Sequence, residues 1–408
     1  MRLLMIAVGY LPYTFSEGLC NGKLVYAMTK EGWQVDVITK VDDGNTYSTK
    51  WTEPWLHLKD NTQIIEYPLG GKITRACDVL HGTLTLNTYP EEGIRWAYRA
   101  YKLARKLCQE YSYDAVLTRS PSDIPHLIGL RLKEKLGIRW IANWNDPAAP
   151  IWPEPYKHHF SPRIQNRKDR ITIKCLKEAD VNTFPSQSLL DHFITHYPFL
   201  SQRHTEVIPH IALHPSIFPI VKEIPVTRYF QMCHSGNLSF ERNPELTFKA
   251  ISELVDEGYT KLRFSIMGHF NDYTQSLINK YHLEQYVTCI GSFSYMDAIR
   301  KMQEFDCLVL LEAQLKKGIF FASKFTDYAQ IGKPILAISP SNGFAAETIS
   351  RYGGGVSVDN EDYHSIKKGI IALYQAWQQG TLSSLYCTKR LYQQVSAERV
   401  VELYKNLL

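Results

Sequence analysis

A lysine and an aspartate three residues apart could serve a phosphate-bearing ligand. Lys324 and Asp327 share one face of a predicted helix. They lie near its N-terminus, where backbone N–H groups and the helix dipole favour phosphate. A carboxylate at this position could also accept hydrogen bonds from both hydroxyl groups of a ribose. An exposed ion pair on an ordinary helix would show the same spacing, so the pattern alone leaves both interpretations open.

The chain around these residues predicts two α/β lobes. With 408 residues it is long for one hydrophobic core, so two domains of about 200 residues each are expected. Short apolar runs alternate with amphipathic stretches, a pattern typical of parallel sheets covered by helices on both faces. We predict a first Rossmann-like lobe at residues 1–205 and a second at 206–385, with a hinge near residues 205–225.

The predicted elements follow this division. The strands of the first lobe are predicted at residues 3–8, 35–39, 115–118, 140–142 and 181–184, and its helices at 22–31, 96–111 and 169–178. The strands of the second lobe are predicted at 229–234, 263–267, 287–290, 307–311, 335–338 and 355–358, with a terminal amphipathic helix at 395–408.

Composition excludes several classes of function. The net charge of +5 and the pI of about 8.6 are too weakly basic to indicate nucleic acid, but they suit an anionic substrate or a membrane surface. The eight cysteines stand singly, which predicts reduced thiols in a cytosolic protein and neither a zinc site nor a disulfide framework. The apolar run within the first nine residues is too short for a signal peptide. It predicts a buried strand instead. We find no apolar run of the length that spans a bilayer.

In open α/β sheets ligands bind beyond the carboxyl ends of the strands, so the loops that follow the second-lobe strands are candidates. Gly236 and Asn237 follow the first of these strands, and Arg242 stands where a helix could begin. Its planar fork of donors suits a diphosphate. Gly268 closes the next strand and would permit close approach of a ligand to the backbone. After the following strand, predicted at 287–290, Ser292 or Phe293 could face a nucleobase, although Phe293 could equally pack in the core.

The first lobe offers a second group of candidates. Gly18 lies in a glycine-spaced loop at residues 9–22, which lacks the tight Gly-x-Gly-x-x-Gly spacing and so favours a substrate loop over a dinucleotide site. A simple strand-to-helix connection that binds no substrate remains the alternative for this loop. His126 and Asp146 follow strands and are the titratable candidates of this lobe. Basic residues crowd 157–177 and 95–113, where they could contact a membrane or form solvated faces.

Taken in order, these segments resemble the retaining family 4 glycosyltransferases of the two-lobed GT-B fold, especially bacterial enzymes of surface-polysaccharide assembly. The resemblance runs over nearly the whole chain. It is strongest at residues 235–245, 290–293, 318–336, 353–356 and 398–404, and in the first lobe it covers the Gly18 loop, 119–129 and 145–147.

The resemblance implies two lobes that face a central cleft and a metal-independent transfer of a sugar from a UDP- or GDP-type nucleotide sugar. Arg242 and Lys324 would neutralise the diphosphate, and Asp327 would hold the ribose. Gly18 would let its loop approach the donor. The other donor-side positions implied are Gly236, Asn237, Gly268, Ser292, Phe293 and Ser323.

The acceptor implied is a saccharide or a lipid-linked saccharide, oriented by His126 and Asp146 in the first lobe. The protein would work in the cytoplasm, with peripheral contact to the inner membrane face as an open question and without nucleic acid as a partner. Residues 386–408 would return to the first lobe as a C-terminal helix.

Two departures from the family pattern bear on activity. Ile319 stands where members often carry a glutamate that contacts the sugar, and Asn237 stands where many carry an arginine. A sugar-nucleotide epimerase of the GT-B fold and a catalytically silent nucleotide-sugar-binding scaffold therefore remain alternatives.

Overall fold

The computed structural model describes residues 1–41, 50–66, 70–121, 123–218, 221, 227–269 and 271–408. Part of the predicted hinge, at 219–220 and 222–225, lies outside the described residues. The described chain divides into two compact units. One contains Met1–Pro209 and Val400–Leu408, and the other contains His210–Arg399.

The first unit is built on a parallel sheet. Its strands are β1 (Arg2–Ala7), β2 (Gln34–Val41), β3 (Thr62–Glu66), β4 (Ala115–Arg119), β5 (Trp140–Asn143), β6 (Val181–Phe184) and β7 (Thr205–Val207). Its helices are α1 (Ser16–Lys30), α2 (Lys72–Leu86), α3 (Ile94–Glu110), α4 (Ile124–Leu136), α5 (Pro162–Glu178) and α6 (Gln187–His196). In the described chain the strand order is β3-β2-β1-β4-β5-β6-β7. The sheet order therefore reverses between β1 and β4.

Burial explains why the first strand is an almost continuous apolar run. Met5 pairs with Val37 of β2 on one side and with Leu117 of β4 on the other, so β1 is a central strand. Leu4 and Ile6 face a core that helices α3 and α4 supply, and both are fully buried. A central parallel strand covered on both faces leaves no position for alternating polar residues.

The second unit repeats this architecture. Its strands are β8 (Phe230–Ser235), β9 (Leu262–Met267), β10 (Val287–Cys289), β11 (Cys307–Leu311), β12 (Ile335–Ser339) and β13 (Gly355–Asp359). Its helices are α7 (Glu245–Asp256), α8 (Asp272–Lys280), α9 (Tyr295–Met302), α10 (Lys324–Ile331), α11 (Phe344–Tyr352), α12 (Tyr363–Gln378), α13 (Leu382–Leu385) and α14 (Lys389–Val395). The described strands are parallel in the order β10-β9-β8-β11-β12-β13, which reverses between β8 and β11.

The last helix, α15 (Ala397–Lys405), begins in the second unit and continues into the first. Within the first unit, the Tyr404 hydroxyl accepts a hydrogen bond from Arg119 Nη1 at 3.1 Å. Arg139 Nε also donates to the carbonyl oxygen of Leu407 at 2.8 Å. These bonds attach the end of the chain to β4 and to the start of β5.

The prediction of two Rossmann-like parallel-sheet lobes is confirmed. The units divide after Pro209, where the sequence predicted 205, and residues 386–399, expected to return with the terminal helix, belong to the second unit. The sequence analysis missed β3, β7 and the helices α2, α4 and α6. None of the helices in the described part of the chain combines the length and apolar character that crossing a bilayer requires.

Candidate active site

The carboxyl ends of β8 and β11 border the place where the second sheet reverses its order. In a doubly wound sheet this reversal opens a crevice that binds ligands. Gly236 follows β8 and Glu312 follows β11, while Gly268 follows the neighbouring strand β9. Several of the predicted donor residues therefore reach one edge of the second sheet.

Gly236 lies close to Lys324, and Gly268 lies close to Gly236. A Cβ on Gly236 would lie 2.2 Å from Lys324 Nζ, and Gly236 adopts φ +135°, a region that favours glycine. A Cβ on Gly268 would lie 2.5 Å from the carbonyl oxygen of Gly236. The loop after β8 thus brings bare backbone up to the amine of Lys324, and the loop after β9 packs against it.

Helix α10 holds Lys324 in place through Tyr328. The Tyr328 hydroxyl accepts from the backbone N–H of Ser235 at 3.0 Å and donates to the carbonyl oxygen of Val309 at 3.2 Å. It therefore joins the helix to both strands that border the crevice. The helix ends at Gly332, whose N–H donates to the Tyr328 carbonyl at 3.2 Å, and Pro334 precedes β12. The helix predicted at Lys324 and the strand predicted at 335–338 are confirmed.

The charge of Lys324 depends on its surroundings. Burial, together with the positive charge of Arg242, lowers its pKa to about 7, against the opposing effects of Glu312 and Asp327. An anionic ligand would favour the ammonium form and raise this pKa. Lys324 is therefore a cation whose charge a bound phosphate would stabilise.

Arg242 stands on the exposed loop between β8 and α7. Its backbone N–H donates to Ser239 Oγ at 3.2 Å, which orders the turn that carries it. Its positive charge acts on Lys324 and on Glu312. Arg242 thus belongs electrostatically to the same cluster as Lys324.

Asp327 lies one turn along α10 from Lys324. Its Oδ1 accepts a hydrogen bond of 2.7 Å from the hydroxyl of Tyr295, at the start of α9. The Tyr295 ring packs edge-on against Phe218 with centroids 6.0 Å apart. A ribose bound to Asp327 would have to share the carboxylate with Tyr295 or displace it.

The sequence analysis missed two ionisable groups at this edge, His234 and Glu312. His234 Nδ1 donates to the Val309 carbonyl at 3.0 Å, so Nε2 is the unprotonated nitrogen. Nε2 is buried, has no hydrogen-bond partner among the described residues, and lies within 4 Å of the place where a Gly236 Cβ would be. Burial, with the charge of Lys324, lowers the pKa of His234 well below its usual value, so the ring is neutral.

Glu312 introduces a carboxyl group close to the two cations. Burial raises its pKa to about 7, against the opposing effects of Arg242, Lys324 and a hydrogen bond from the Ala322 backbone. Glu312 directly follows the apolar run of β11, and His234 is next to the last residue of β8. Examining every polar residue at a strand end would have identified both.

The remaining donor-side candidates have different surroundings. Asn237 Oδ1 accepts from the backbone N–H of His269 at 2.7 Å, which joins the loops after β8 and β9. Ser292 and Phe293 lie on the exposed loop before α9, and 41% of Phe293 is exposed, so the alternative that Phe293 packs in the core is wrong. Ser323 precedes α10, and its carbonyl accepts from the hydroxyl of Thr326 at 2.8 Å.

Ile319 is a core residue. Its side chain is only 2% exposed, and a Cβ on the preceding Gly318 would lie 2.6 Å from Gly343 Cα. This tight packing fixes the segment that leads to α10. The position where the family often has a glutamate therefore supplies no polar group here.

The first unit has its own polar cluster where its sheet order reverses. Glu17 Oε1 accepts from Asn145 Nδ2 at 2.6 Å and from Asn21 Nδ2 at 3.0 Å, and it lies 4.0 Å from Arg119 Nε. Burial raises the pKa of Glu17 to about 7, against the effect of Arg119. The negative charge of Asp146 acts in the same direction as burial, and burial raises the pKa of Asp146 itself to about 6. Asp146, which the sequence predicted, is thus joined by Glu17, which it missed.

His126 cannot orient an acceptor directly, which corrects the prediction made for it. The side chain is completely buried, its Nδ1 lies 2.8 Å from Thr118 Oγ1, and its ring centroid lies 4.1 Å from that of Trp144. Burial lowers its pKa to about 3. His126 is a neutral core residue that packs α4 onto the sheet.

Gly18 also differs from its prediction, because it lies within the first turn of α1 rather than in a flexible loop. A Cβ there would stand 2.1 Å from the carbonyl oxygen of Tyr13. The close contact that requires a glycine is therefore with the first unit's own backbone. Its predicted approach to the donor stays a prediction.

No group of three or more His, Cys, Asp or Glu side chains within the described ranges is arranged to hold a metal ion. The charges that the second unit gathers at its reversal point are those of Lys324, Arg242, Glu312 and Asp327. Two cations near bare glycine backbone can bind a diphosphate, and two carboxyl groups can accept hydrogen bonds from hydroxyl groups.

Comparison with known proteins gives a consistent result for both units. Residues 22–211 match the sequence model of "Glycosyltransferase Family 4", and residues 220–381 match that of "Glycosyl transferases group 1". Together the two models match most of the chain. A search of curated proteins found no match.

Solved structures share the fold over the full length of the chain. Sucrose-phosphate synthase from Thermosynechococcus elongatus aligns with a TM-score of 0.70 at 13% identity, covering 100% of this chain and 99% of that one. Anabaena HepE in complex with UDP aligns with a TM-score of 0.69 at 14% identity, with the same coverage. A glycosyltransferase from Rickettsia africae aligns with a TM-score of 0.68 at 14% identity, covering 100% and 98%.

The fold, the two matched domains and the glycine-and-lysine cluster lead to one assignment. The chain is a glycosyltransferase of the family 4 type, with a family 4 domain followed by a group 1 domain.

Proposed function

We propose that the second unit binds a UDP- or GDP-type nucleotide sugar and that the sugar is transferred with retention to a saccharide or lipid-linked acceptor. The observation that carries the proposal is the close approach of Gly236 to the amine of Lys324, with Gly268 packed against the backbone of Gly236. It provides a cation beside backbone that a phosphate can approach. The complexes of HepE with UDP and with UDP-glucose support the same ligand class.

Arg242 and Lys324 would bind the diphosphate and stabilise the negative charge that it gains as the sugar bond breaks. Each charge-assisted hydrogen bond would contribute roughly 1.5 to 3 kcal/mol. Asp327 would accept hydrogen bonds from the ribose hydroxyls, sharing its carboxylate with Tyr295 or displacing it. These fixed cations provide the charge stabilisation, so the proposed reaction requires no metal.

The proposed chemistry is a front-face displacement within an ion pair. The bond from the anomeric carbon to the diphosphate breaks, an acceptor oxygen bonds to the same face, and the leaving phosphate takes the acceptor proton. The protein then supplies no nucleophile. On the first unit, Asp146 and the neighbouring Glu17 are the carboxyl groups that we assign to the acceptor hydroxyls.

We further propose a role in the biosynthesis of cell-surface polysaccharide, at the cytoplasmic face of the inner membrane. The family 4 type of the chain and the basic helix α5 support this location. A lipid-linked acceptor would be presented at that face.

Ligand binding and product analysis test the proposal. Thermal unfolding should show that sugars of one nucleotide among UDP, GDP, ADP and CMP stabilise the protein. A 100-fold excess of ligand over Kd adds about 2.7 kcal/mol to the free energy of unfolding. Lys324→Ala and Asp327→Ala should abolish that shift, whereas Lys368→Ala and Asp256→Ala, at exposed positions of the same unit, should keep it. Product NMR should show the donor's anomeric configuration, and EDTA should not lower the rate. Full transfer by both site variants would refute the assignment.

Ile319 favours one alternative, a scaffold that binds the nucleotide sugar without transferring the sugar. Its buried apolar side chain leaves the sugar without the carboxylate that the family often places there. The two functions separate in one experiment, since a scaffold would show the thermal shift but neither transfer nor donor hydrolysis with any acceptor offered.

A further inference from the structure

Helix α2 is anchored to the first unit by one face only. On that face Asp78, Gly82 and Leu86 are buried. Asp78 Oδ2 lies 2.9 Å from Arg99 Nη2, and a Cβ on Gly82 would lie 3.0 Å from the carbonyl oxygen of Ile94. Helix α3 therefore holds α2 by an ion pair and a close backbone approach.

The opposite face of α2 carries an exposed apolar stripe, which we name the α2 stripe. Ile73, Leu80 and Leu84 are 83%, 59% and 67% exposed, and Cys77 between them is exposed too. Their spacing of four, three and four residues places them along one line on the helix. Scattered apolar residues on a surface are ordinary, but an aligned exposed row marks an interaction site.

A second stripe, basic and exposed, runs along α5. We name it the α5 stripe, and it consists of Arg163, Arg167, Arg170, Lys174 and Lys177. Its spacing alternates between four and three residues, so all five side chains share one helix face. Within the described ranges only Lys174 of the five forms an ion pair, and Arg163 and Arg170 have neither an ion pair nor a contact with an aromatic ring.

The two stripes belong to adjoining parts of the same unit. The Arg167 guanidinium lies 4.1 Å from the ring centroid of Tyr89, three residues beyond the end of α2. In the same segment Glu91 forms an ion pair with Lys168 of α5, with 3.3 Å between Glu91 Oε2 and Lys168 Nζ. The segment that leaves α2 therefore packs directly on α5.

We propose that the α2 stripe and the α5 stripe together dock the protein on an anionic lipid bilayer. The apolar side chains would enter the boundary between headgroups and acyl chains, and the basic side chains would contact the headgroups. A second copy of the chain is the less suitable occupant, because a symmetric dimer would bring two basic stripes together. The inference locates the membrane contact proposed above, and its test uses no catalytic activity.

Vesicle binding of the full-length protein tests the proposal. The protein should sediment with vesicles of phosphatidylglycerol and phosphatidylethanolamine but not with phosphatidylcholine alone. Arg163→Gln with Arg170→Gln should weaken partitioning about 30-fold, from the contribution of two basic side chains at an anionic surface. Ile73→Gln, Leu80→Gln and Leu84→Gln together should weaken it at least about 10-fold. All five positions are exposed, so thermal unfolding should show that each variant is folded.

The second unit provides matched controls. Leu385→Gln and the pair Lys389→Gln with Arg390→Gln change equally exposed apolar and basic side chains and should bind vesicles like the parent. A polarity-sensitive fluorophore on Cys77 should shift to the blue with the anionic vesicles, whereas one on Cys387, which is exposed on the second unit, should not. Unchanged vesicle binding by both stripe variants would overturn the proposal. So would a dimer without lipid affinity that the apolar triple variant converts to a monomer.

Discussion

A methyl group at Gly236 should separate ligand binding from folding. Its Cβ would stand 2.2 Å from Lys324 Nζ, the far end of a flexible side chain. The lysine can move aside, but it then leaves the position from which we propose that it contacts phosphate. We expect Gly236→Ala to weaken UDP or GDP binding by roughly 10- to 150-fold, the equivalent of one charge-assisted hydrogen bond of about 1.5 to 3 kcal/mol.

The same substitution also strains the backbone, and Gly258 provides the control for that effect. Gly258 follows α7 with φ +98°, and a Cβ there would meet no atom within 4 Å. Both variants should therefore lose about 1 to 3 kcal/mol of unfolding free energy from strain. Only Gly236→Ala should lose nucleotide affinity.

A double-mutant cycle with Lys324→Ala completes the test, with affinities from titration calorimetry and stabilities from urea unfolding. Since the methyl group acts through the lysine, Gly236→Ala should weaken binding little further in the Lys324→Ala background. Parental affinity in Gly236→Ala, or additive losses in the double variant, would refute the reasoning.

Three further predictions follow from the same contacts. Nucleotide affinity should fall as pH rises above about 7, because the pKa values of Lys324 and Glu312 lie there and the bound anion favours their protonated forms. Glu312→Gln should flatten that profile in calorimetry, and an unchanged slope would contradict the assignment. His126→Ala should lower the unfolding free energy by roughly 2 to 4 kcal/mol yet leave the acceptor KM of the folded enzyme unchanged, so a raised KM would return His126 to the site. Glu17→Gln should raise the acceptor KM and leave the nucleotide Kd as it was, and the reverse result would contradict the role proposed for the first unit.

Local sequence pattern predicted the central strands well, because their residues are apolar without interruption. Strands β6 and β11 begin and end at the predicted residues, and the other predicted strands differ by two residues or fewer at either end. The missed strands lie at the sheet edges. β3 reads Thr-Gln-Ile-Ile-Glu and β7 has only three residues, so neither forms an apolar run. α2 was missed because its apolar residues face solvent, where a helix of a globular lobe usually has polar ones.

The site could be predicted in part for a similar reason. The loops after strands, the glycines and the helix that begins at Lys324 are local patterns, and the structure brings Gly236, Gly268 and Lys324 together. His126 was misplaced because sequence does not show which residues α4 buries, and its partners Thr118 and Trp144 come from two separate strand ends. Glu312 and His234 were missed because their importance arises from strands adjacent in the sheet but distant in the chain.

The two sheets reverse their order at corresponding strands, and each gathers a cation and a carboxyl group there. In the first unit Arg119 donates to Tyr404 and to Asn145 and lies 4.0 Å from Glu17, so the protein itself uses this guanidinium. In the second unit Lys324 Nζ has no hydrogen bond or ion pair within the described ranges, and bare glycine backbone faces it. Arg119 is buried and has its partners within the protein, whereas the half-buried Lys324 is a costly charge unless a ligand completes it. The same topological position is therefore structural in one unit and open to a phosphate in the other.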